Sequence, residues 1–306
     1  MLRQLTALLL LTLSVGCSQP PTGQGDEQPS TPPLAGTVFT VNYPLAFFAE
    51  YLSQGRLRVE LPVPSEEDPA YWQPEPEIVL AYQQADLILL NGPGYAWVNR
   101  VSLPANTQVD TSTTYTEHFI ELDTGPVHSH GPEGDHSHGE IAFTTWLDMS
   151  LASLQAAAVA QALQKLKVDP QELEQRLAAL QSELSNIDAA LIEAGQILDN
   201  APVLFSHPVY QYLSDRYGLN GQALHWEPEI YPDEADWNAL DKVLSEHPAT
   251  IMLWEDQPIP EIESELRKRG IVVVVFKPLG RRPDSGDFLA VMETNVQLLS
   301  AAVTAM

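Results

Sequence analysis

The stretch Asp86-Leu-Ile-Leu-Leu-Asn-Gly-Pro-Gly94 decides the fold that this sequence predicts. Its apolar run is typical of a strand that is buried on both faces of a parallel sheet. The Asn-Gly-Pro-Gly end predicts a sharp turn where that strand stops. A β-rich run at residues 38–41 and a helical pattern at residues 74–84 precede it. Strands that alternate with helices in this way predict βαβ units and a parallel sheet.

The second half of the chain repeats the alternation. Apolar runs at residues 251–254 and 271–276 flank a helical pattern at residues 260–269. Between the halves, apolar residues spaced by three, four or seven predict one long helix, with Asp169 before Pro170 as its start. The predicted fold class is therefore α/β, with two lobes that each contain a mostly parallel sheet flanked by helices and are joined by one long linking helix.

The N-terminal region has the composition of an exported lipoprotein. A positive start, an apolar run and a small-residue end predict a signal peptide at residues 1–17, and Cys17, the only cysteine, is the predicted lipidation site. A tract rich in Pro, Gln, Gly and Ser predicts a flexible tether at residues 18–36. The expected domains that follow are an N-terminal lobe at residues 37–168, the linking helix at 169–200 and a C-terminal lobe at 201–306. We expect the protein in the bacterial cell envelope, periplasmic or extracytoplasmic, with a lipid on Cys17 as its membrane contact.

The charge balance limits the partners. The chain has 15 Lys and Arg against 41 Asp and Glu, a formal net charge of −26. Such a charge disfavours nucleic acids and anionic lipid surfaces, so no nucleic-acid partner is expected. It raises the local concentration of cations but does not identify a site for one. We expect a monomer.

Four of the eight histidines occur within eleven residues, inside a loop at residues 127–139. They are His128, His130, His136 and His138. Neutral imidazole is the commonest metal ligand in proteins, and its nitrogens favour zinc, copper or nickel over calcium or magnesium. The glycines and the proline of this stretch disfavour a regular helix or strand. The stretch therefore predicts a metal-binding loop, although a solvated polar loop is the alternative interpretation.

Polar residues follow the predicted strands at the ends where ligands bind in open α/β sheets. They are Asn91, His207, Glu255 and Lys277. Asp256 adjoins Glu255, and either carboxylate could pair with Lys277. His118, His225 and His247 are isolated in the sequence and are predicted to be structural or on the surface. Tyr71-Trp72 could line an aromatic pocket for an organic or chelated ligand.

Several short motifs occur in a fixed order along the chain. They are Tyr43-Pro-Leu45, Asp68-Pro69, Ala85-Asp-Leu-Ile88, Trp146-Leu-Asp148, Ser206-His207 and Pro278-Leu279. In this order, after a lipoprotein signal and around a long helix, they resemble the zinc/manganese-type solute-binding lipoproteins of bacterial ABC metal importers. The resemblance runs from about residue 38 to the C terminus. It implies a metal held in a cleft between the lobes, an ABC permease as partner, and a His-rich loop at this place in members that carry zinc.

The family's four metal ligands fall on Ala70, Thr144, His207 and Lys277. Only the imidazole of His207 is a suitable donor among these four side chains, and an ammonium group beside a dication is unfavourable. A closed zinc site normally needs four donors. The resemblance therefore implies the metal cleft but not its complete set of ligands.

Three arrangements remain open at this point. Glu66, Glu67 or Asp68 could replace the first histidine, or the His-rich loop could fold into the cleft and join His207. In the third arrangement, the cleft binds no bare metal. We predict the second, with Zn²⁺ held by His207 and the histidines of the loop. Further cleft candidates are Asp68, Glu255, Asp256 and Lys277.

The predicted function is that of a solute-binding lipoprotein that captures a transition metal, most readily zinc, for an ABC importer. The alternative is a degenerate member of the family that acts as a metal buffer or sensor, or that binds a different solute. A metal-dependent hydrolase would need an open coordination position and a general base. The sequence has no His-Glu-x-x-His helix, Gly-x-Ser-x-Gly elbow or phosphate loop, so no enzymatic activity is expected.

Overall fold

Two parallel four-stranded sheets form the framework of the fold. The computed structural model describes residues 34–122, 128–129, 135–136 and 141–305. The first sheet contains β1 (Thr37–Thr40), β2 (Arg58–Glu60), β3 (Leu87–Leu90) and β4 (Gln108–Asp110), in the spatial order β2–β1–β3–β4. The strand β3 is the apolar run of the opening stretch, and it pairs with a neighbour on each side. The prediction of a buried parallel strand is therefore confirmed.

Two very short strands occur within the His-rich loop. The strands β5 (His128–Ser129) and β6 (Asp135–His136) pair antiparallel, so that His128 stands opposite His136 in the backbone register. The expectation that this stretch contains no strand is wrong at these four residues. Glycine and proline disfavour a strand at their own positions, but in general they also favour chain reversals that let flanking residues pair.

The second sheet follows the same parallel plan. It contains β7 (Pro202–Phe205), β8 (Asn220–Ala223), β9 (Ile251–Trp254) and β10 (Val272–Val275), in the spatial order β10–β9–β7–β8. The central strands β7 and β9 are almost fully buried, whereas the edge strand β8 is mostly exposed. Both sheets are flanked by helices, so the predicted α/β class with two lobes is confirmed.

Eight α-helices are present in the part of the chain that the structure describes. They are α1 (Tyr43–Ser53), α2 (Pro76–Gln83), α3 (Met149–Leu163), α4 (Pro170–Leu198), α5 (Gln211–Tyr217), α6 (Glu234–Glu246), α7 (Pro260–Lys268) and α8 (Phe288–Thr304). None of these described helices combines the length and the apolar composition needed to cross a membrane.

The helix α4 is the long helix that the apolar spacing predicted. Its 29 residues correspond to a length of about 44 Å at the standard rise of an α-helix. The Asp169 carboxylate accepts hydrogen bonds from the backbone N–H groups of Gln171 and Glu172, and Pro170 occupies the first turn. The buried stripe faces α1, α3, α5 and α8, so the helix contacts elements from both halves of the chain.

The lobes around the two sheets are tied together by hydrogen bonds between buried groups. The Trp146 indole N–H donates to the Pro278 carbonyl at 2.6 Å, and the Thr144 hydroxyl donates to the Val209 carbonyl at 2.6 Å. The Tyr43 backbone N–H donates to the Gly280 carbonyl at 2.9 Å. A continuous apolar core surrounds these bonds and includes residues of both lobes.

Candidate metal centre

Two histidines lie side by side at the carboxyl edge of the second sheet. His207 follows β7, and His225 follows the neighbouring strand β8. Their ring centroids are 5.8 Å apart and the ring planes meet at 80°. The Nδ1 atom of His207 is 3.5 Å from a carboxylate oxygen of Glu227, which comes two residues after His225. His225 is therefore not isolated in the fold, because strand pairing brings it to His207.

Two further carboxylates, one from each lobe, lie near Glu227 or near each other. Glu255 follows β9, which is the other neighbour of β7, and Asp68 comes from the segment after β2. Burial, together with the negative charges of Glu227 and Asp68, raises the pKa of Glu255 to about 8. The Arg281 guanidinium opposes this effect only in part. The acidic side chains are therefore close enough to repel one another.

The phenol of Tyr71 lies within the same electrostatic field. Burial raises its pKa most, and the charges of Asp68, Glu255 and Glu227 add to the effect. Its ring contacts Phe143 edge to face at 6.2 Å between centroids. Trp72, by contrast, is buried against Trp97 and belongs to the core. Tyr71 thus lines the cleft, while Trp72 does not form an aromatic pocket with it.

The chemistry of this cluster suits a divalent cation. Like charges that are held together in a partly buried region disfavour their ionised forms, and a bound cation reverses that penalty. Imidazole nitrogens and carboxylate oxygens are ligands that zinc and manganese accept. Among the residues that the structure describes, however, no three His, Cys, Asp or Glu side chains already surround a point where one ion would fit. Side-chain rotation or further donors are needed to complete a site.

The predicted loop donors cannot be placed from the structure. His130 and His138 lie outside the described residues, and only the backbone of His128 and His136 is described. Cys17 also lies outside the described residues. The metal-binding role of the loop and the lipid anchor therefore stay predictions.

The three residues that the resemblance assigns to ligand positions, apart from His207, make other contacts in the structure. Ala70 is buried, and its backbone N–H donates to the Asp68 carboxylate at 2.8 Å. Thr144 uses its hydroxyl for the bond to the opposite lobe. The ammonium of Lys277 pairs with Asp256 at 3.0 Å, which is one of the two pairings that the sequence suggested. These contacts give each substituted side chain or its backbone a structural role.

The remaining sequence candidates are dispersed. Asn91 follows β3 as predicted, but it is buried and bonded to Asn42, Gln155 and the Phe143 carbonyl, so it stabilises the N-terminal lobe. Glu66 and Glu67 are exposed, and a Glu66 oxygen accepts a bond from the neighbouring Ser65.

In the metal-free protein, we expect Glu255→Gln to stabilise the fold at alkaline pH. The folded state holds the Glu255 proton up to a pKa of about 8, against an ordinary value of 4.5, so the stability from this group is lost as the pH rises between those values. Urea denaturation in the presence of a chelator should show the variant to be more stable than wild type at pH 9 but nearly equal at pH 4. The exposed Glu246→Gln is the control, and equal effects of both substitutions at pH 9 would contradict the prediction.

Comparison with known proteins places this cleft in a family. Residues 38–302 match the family model described as the periplasmic component A of a zinc-uptake complex, ZnuA. The chain belongs to this family. The manganese ABC transporter substrate-binding lipoprotein PsaA of Streptococcus pneumoniae is 29% identical over 203 residues, which cover 62% of this chain and 61% of PsaA. The zinc-binding lipoprotein AdcA of the same species is 22% identical over 277 residues, which cover 86% of this chain and 54% of AdcA. The chain thus spans between half and two thirds of the length of these relatives.

Solved structures of the ZnuA family share the fold. The metal-dependent lipoprotein YcdH of Bacillus subtilis superposes with a TM-score of 0.72 at 19% identity, over 87% of this chain and 98% of YcdH. The periplasmic zinc-binding protein TroA of Treponema pallidum gives a TM-score of 0.69 at 20% identity, over 88% of this chain and 99% of TroA. The predicted resemblance to metal importer lipoproteins and the predicted fold are thus confirmed.

Proposed function

We propose that this protein is an extracytoplasmic solute-binding lipoprotein that captures a divalent transition metal and delivers it to the permease of an ABC importer. The observation that carries the proposal is the grouping of His207 with Glu227, whose carboxylate shares one acidic cluster with Glu255 and with Asp68 of the other lobe. Membership of the ZnuA family supports the same function. The protein works as a monomer, is anchored by a lipid on Cys17, and catalyses no reaction.

Zinc is the proposed cargo. Two imidazoles at the centre of the cluster favour zinc over manganese, because affinity for nitrogen donors rises from manganese to zinc. The relatives support either ion, since PsaA is named for manganese and AdcA for zinc. In this proposal, His207 binds the ion and the loop supplies further nitrogens. The loop donors are His128, His130, His136 and His138.

The carboxylates have a different part in the proposed site. Asp68 and Glu255 act as oxygen donors or as counter-charges that attract the cation into the cleft. Asp256 and Lys277 neutralise each other at 3.0 Å, and they therefore remain beside the cargo rather than bind it. This pairing removes the objection that a free ammonium group would repel a dication.

Zinc binding should weaken as the pH falls below about 6.5, because only neutral imidazole binds the metal. We expect isothermal titration of the purified chain to give tight zinc binding and weaker manganese binding at pH 7.5, and a marked loss of zinc affinity at pH 5. Equal zinc affinity at the two pH values would contradict a site made of histidines. Failure to bind either metal at pH 7.5 would contradict the proposed function itself.

A metal buffer or sensor is the second candidate function. The structural roles of Thr144 and Lys277 favour it, because these residues replace family ligands with contacts that stabilise the protein. Genes for a permease and an ATPase next to the gene for this chain would support import. Their absence from the genome, together with measured metal binding, would support the buffer or sensor.

A further inference from the structure

We propose that His225 and Glu227 are cargo ligands in this chain, and that with His207 they form a metal site held mainly by the C-terminal lobe. The inference rests on the proposed function. It names the side chains that bind the metal in this chain, in which Ala70 and Thr144 provide no metal ligand.

The positions of the two rings fit joint binding of one ion. Zinc lies about 2.0–2.1 Å from an imidazole nitrogen, and at a tetrahedral angle two ligating rings then have centroids about 5 Å apart. The observed separation of His207 and His225 is 5.8 Å, and the rings are nearly perpendicular. The two ring centroids therefore have to approach by less than about one ångström to match the separation of two rings bound to one ion.

The backbone around the histidines is fixed on both sides. The N–H of Leu224 donates to the Phe205 carbonyl at 2.9 Å, and the N–H of Trp226 donates to the Ser206 carbonyl at 2.7 Å. These bonds continue the pairing of β7 with β8 beyond the ends of the strands. Because Trp226 is buried in the core of the C-terminal lobe, the segment that carries His225 and Glu227 is anchored there. Ligands on a fixed backbone lose little conformational entropy when a metal binds.

Glu227 supplies the third donor. Its carboxylate lies 3.5 Å from Nδ1 of His207, and its side chain is 37% exposed, so it has room to rotate. The described side chains do not yet surround an ion, and a rotation of this carboxylate is the movement that would bring an oxygen to it. Asp68 of the N-terminal lobe, whose charge acts on the same acidic cluster, is the candidate for a further position.

The experiment is a chelator competition with zinc on the full chain, comparing His225→Ala and Glu227→Gln with wild type. The controls are His118→Ala, an exposed histidine on a short helix, and Glu246→Gln, which makes the same charge change at an exposed position at the end of α6. Loss of an outer-shell partner of a ligating histidine already costs about 10- to 100-fold in affinity. We therefore expect His225→Ala to weaken zinc binding by at least that factor, Glu227→Gln by a smaller factor, and the controls to match wild type.

A second measurement does not depend on the variants. Ring-nitrogen NMR of the wild-type chain should show one nitrogen of His225 shifting when zinc is added, together with one of His207. If wild type binds zinc and neither the His225 ring nor the affinity of His225→Ala changes, the inference is wrong while the proposed function stands. If wild type binds no metal, both are wrong.

Discussion

His207→Ala is expected to lower the zinc affinity of the chain by at least about 100-fold. Removing a residue that only supports a metal ligand already costs about 10- to 100-fold in affinity, and removing the ligand itself should cost at least as much as the upper value. Among the four ligand positions that the resemblance implies, His207 is the one with a suitable donor side chain. It lies at the junction of the proposed donors, next to His225 and Glu227, and only 13% of its side chain is exposed. Chelator competition with zinc at pH 7.5 measures the loss.

Deletion of residues 127–139 tests the contribution of the His-rich loop against that of His207. If the loop supplies nitrogens to the cleft, the deletion should also weaken binding and should lower the stoichiometry of any loosely held ions. A matched variant replaces the four loop histidines with serine and keeps the length of the loop, so it separates loss of imidazole from loss of the segment. If His207→Ala changes nothing while the deletion abolishes binding, the cleft is not the site and the loop acts alone.

The elements that the sequence predicted well are those whose pattern has a single physical interpretation. The apolar run in β9 fits a strand buried on both faces, and the structure begins and ends it at Ile251 and Trp254 as predicted. In α4, the Asp169 cap and the regular apolar spacing fix the start and the buried face. Local sequence alone decides such elements, because their burial and capping need no distant partner to be recognised.

Two edge strands and one helix were not predicted, because their sequences are polar. The strand β8, Asn220–Ala223, has no apolar alternation, and only its pairing with β7 makes it a strand. The helix α6, Glu234–Glu246, was also missed, although Asp233 and Asp236 form a capping box that marks its start. The strand β4 at Gln108–Asp110 is similarly short and polar.

The missed strand explains the missed histidine. Had β8 been predicted beside β7, His225 would have been expected at the same sheet edge as His207, because the ends of adjacent parallel strands meet there. By contrast, Asp68 and Glu255 were predicted as cleft candidates from their places in the chain, and the structure brings both into one electrostatic field. The pairing of Lys277 with Asp256 was foreseen as one of two alternatives. The new role of Thr144 was not, since it depends on a carbonyl 65 residues away.

Trp146→Ala is expected to destabilise the protein by about 3–5 kcal/mol, the usual cost of removing a large aromatic side chain from a core. Trp146 is fully buried in a short helix of the N-terminal lobe, and its indole N–H donates to the Pro278 carbonyl of the other lobe. The substitution therefore leaves a cavity and also removes the hydrogen bond to the partly buried Pro278 carbonyl at the junction of the lobes. Urea denaturation followed by circular dichroism measures the free energy of unfolding.

Trp146→Phe separates the two parts of this loss. It keeps most of the aromatic bulk but removes the donor to Pro278, so we expect it to cost about 1–3 kcal/mol, the penalty for a buried polar group left without its partner. Pro278 directly follows Lys277, and two residues further on the Gly280 carbonyl accepts a hydrogen bond from the Tyr43 backbone N–H. Weaker contact between the lobes at this point should therefore also weaken zinc binding. If Trp146→Ala unfolds with nearly wild-type stability, the indole does not hold the lobes together. If Trp146→Phe is as stable as wild type while Trp146→Ala is not, packing alone accounts for the effect and the bond between the lobes contributes nothing.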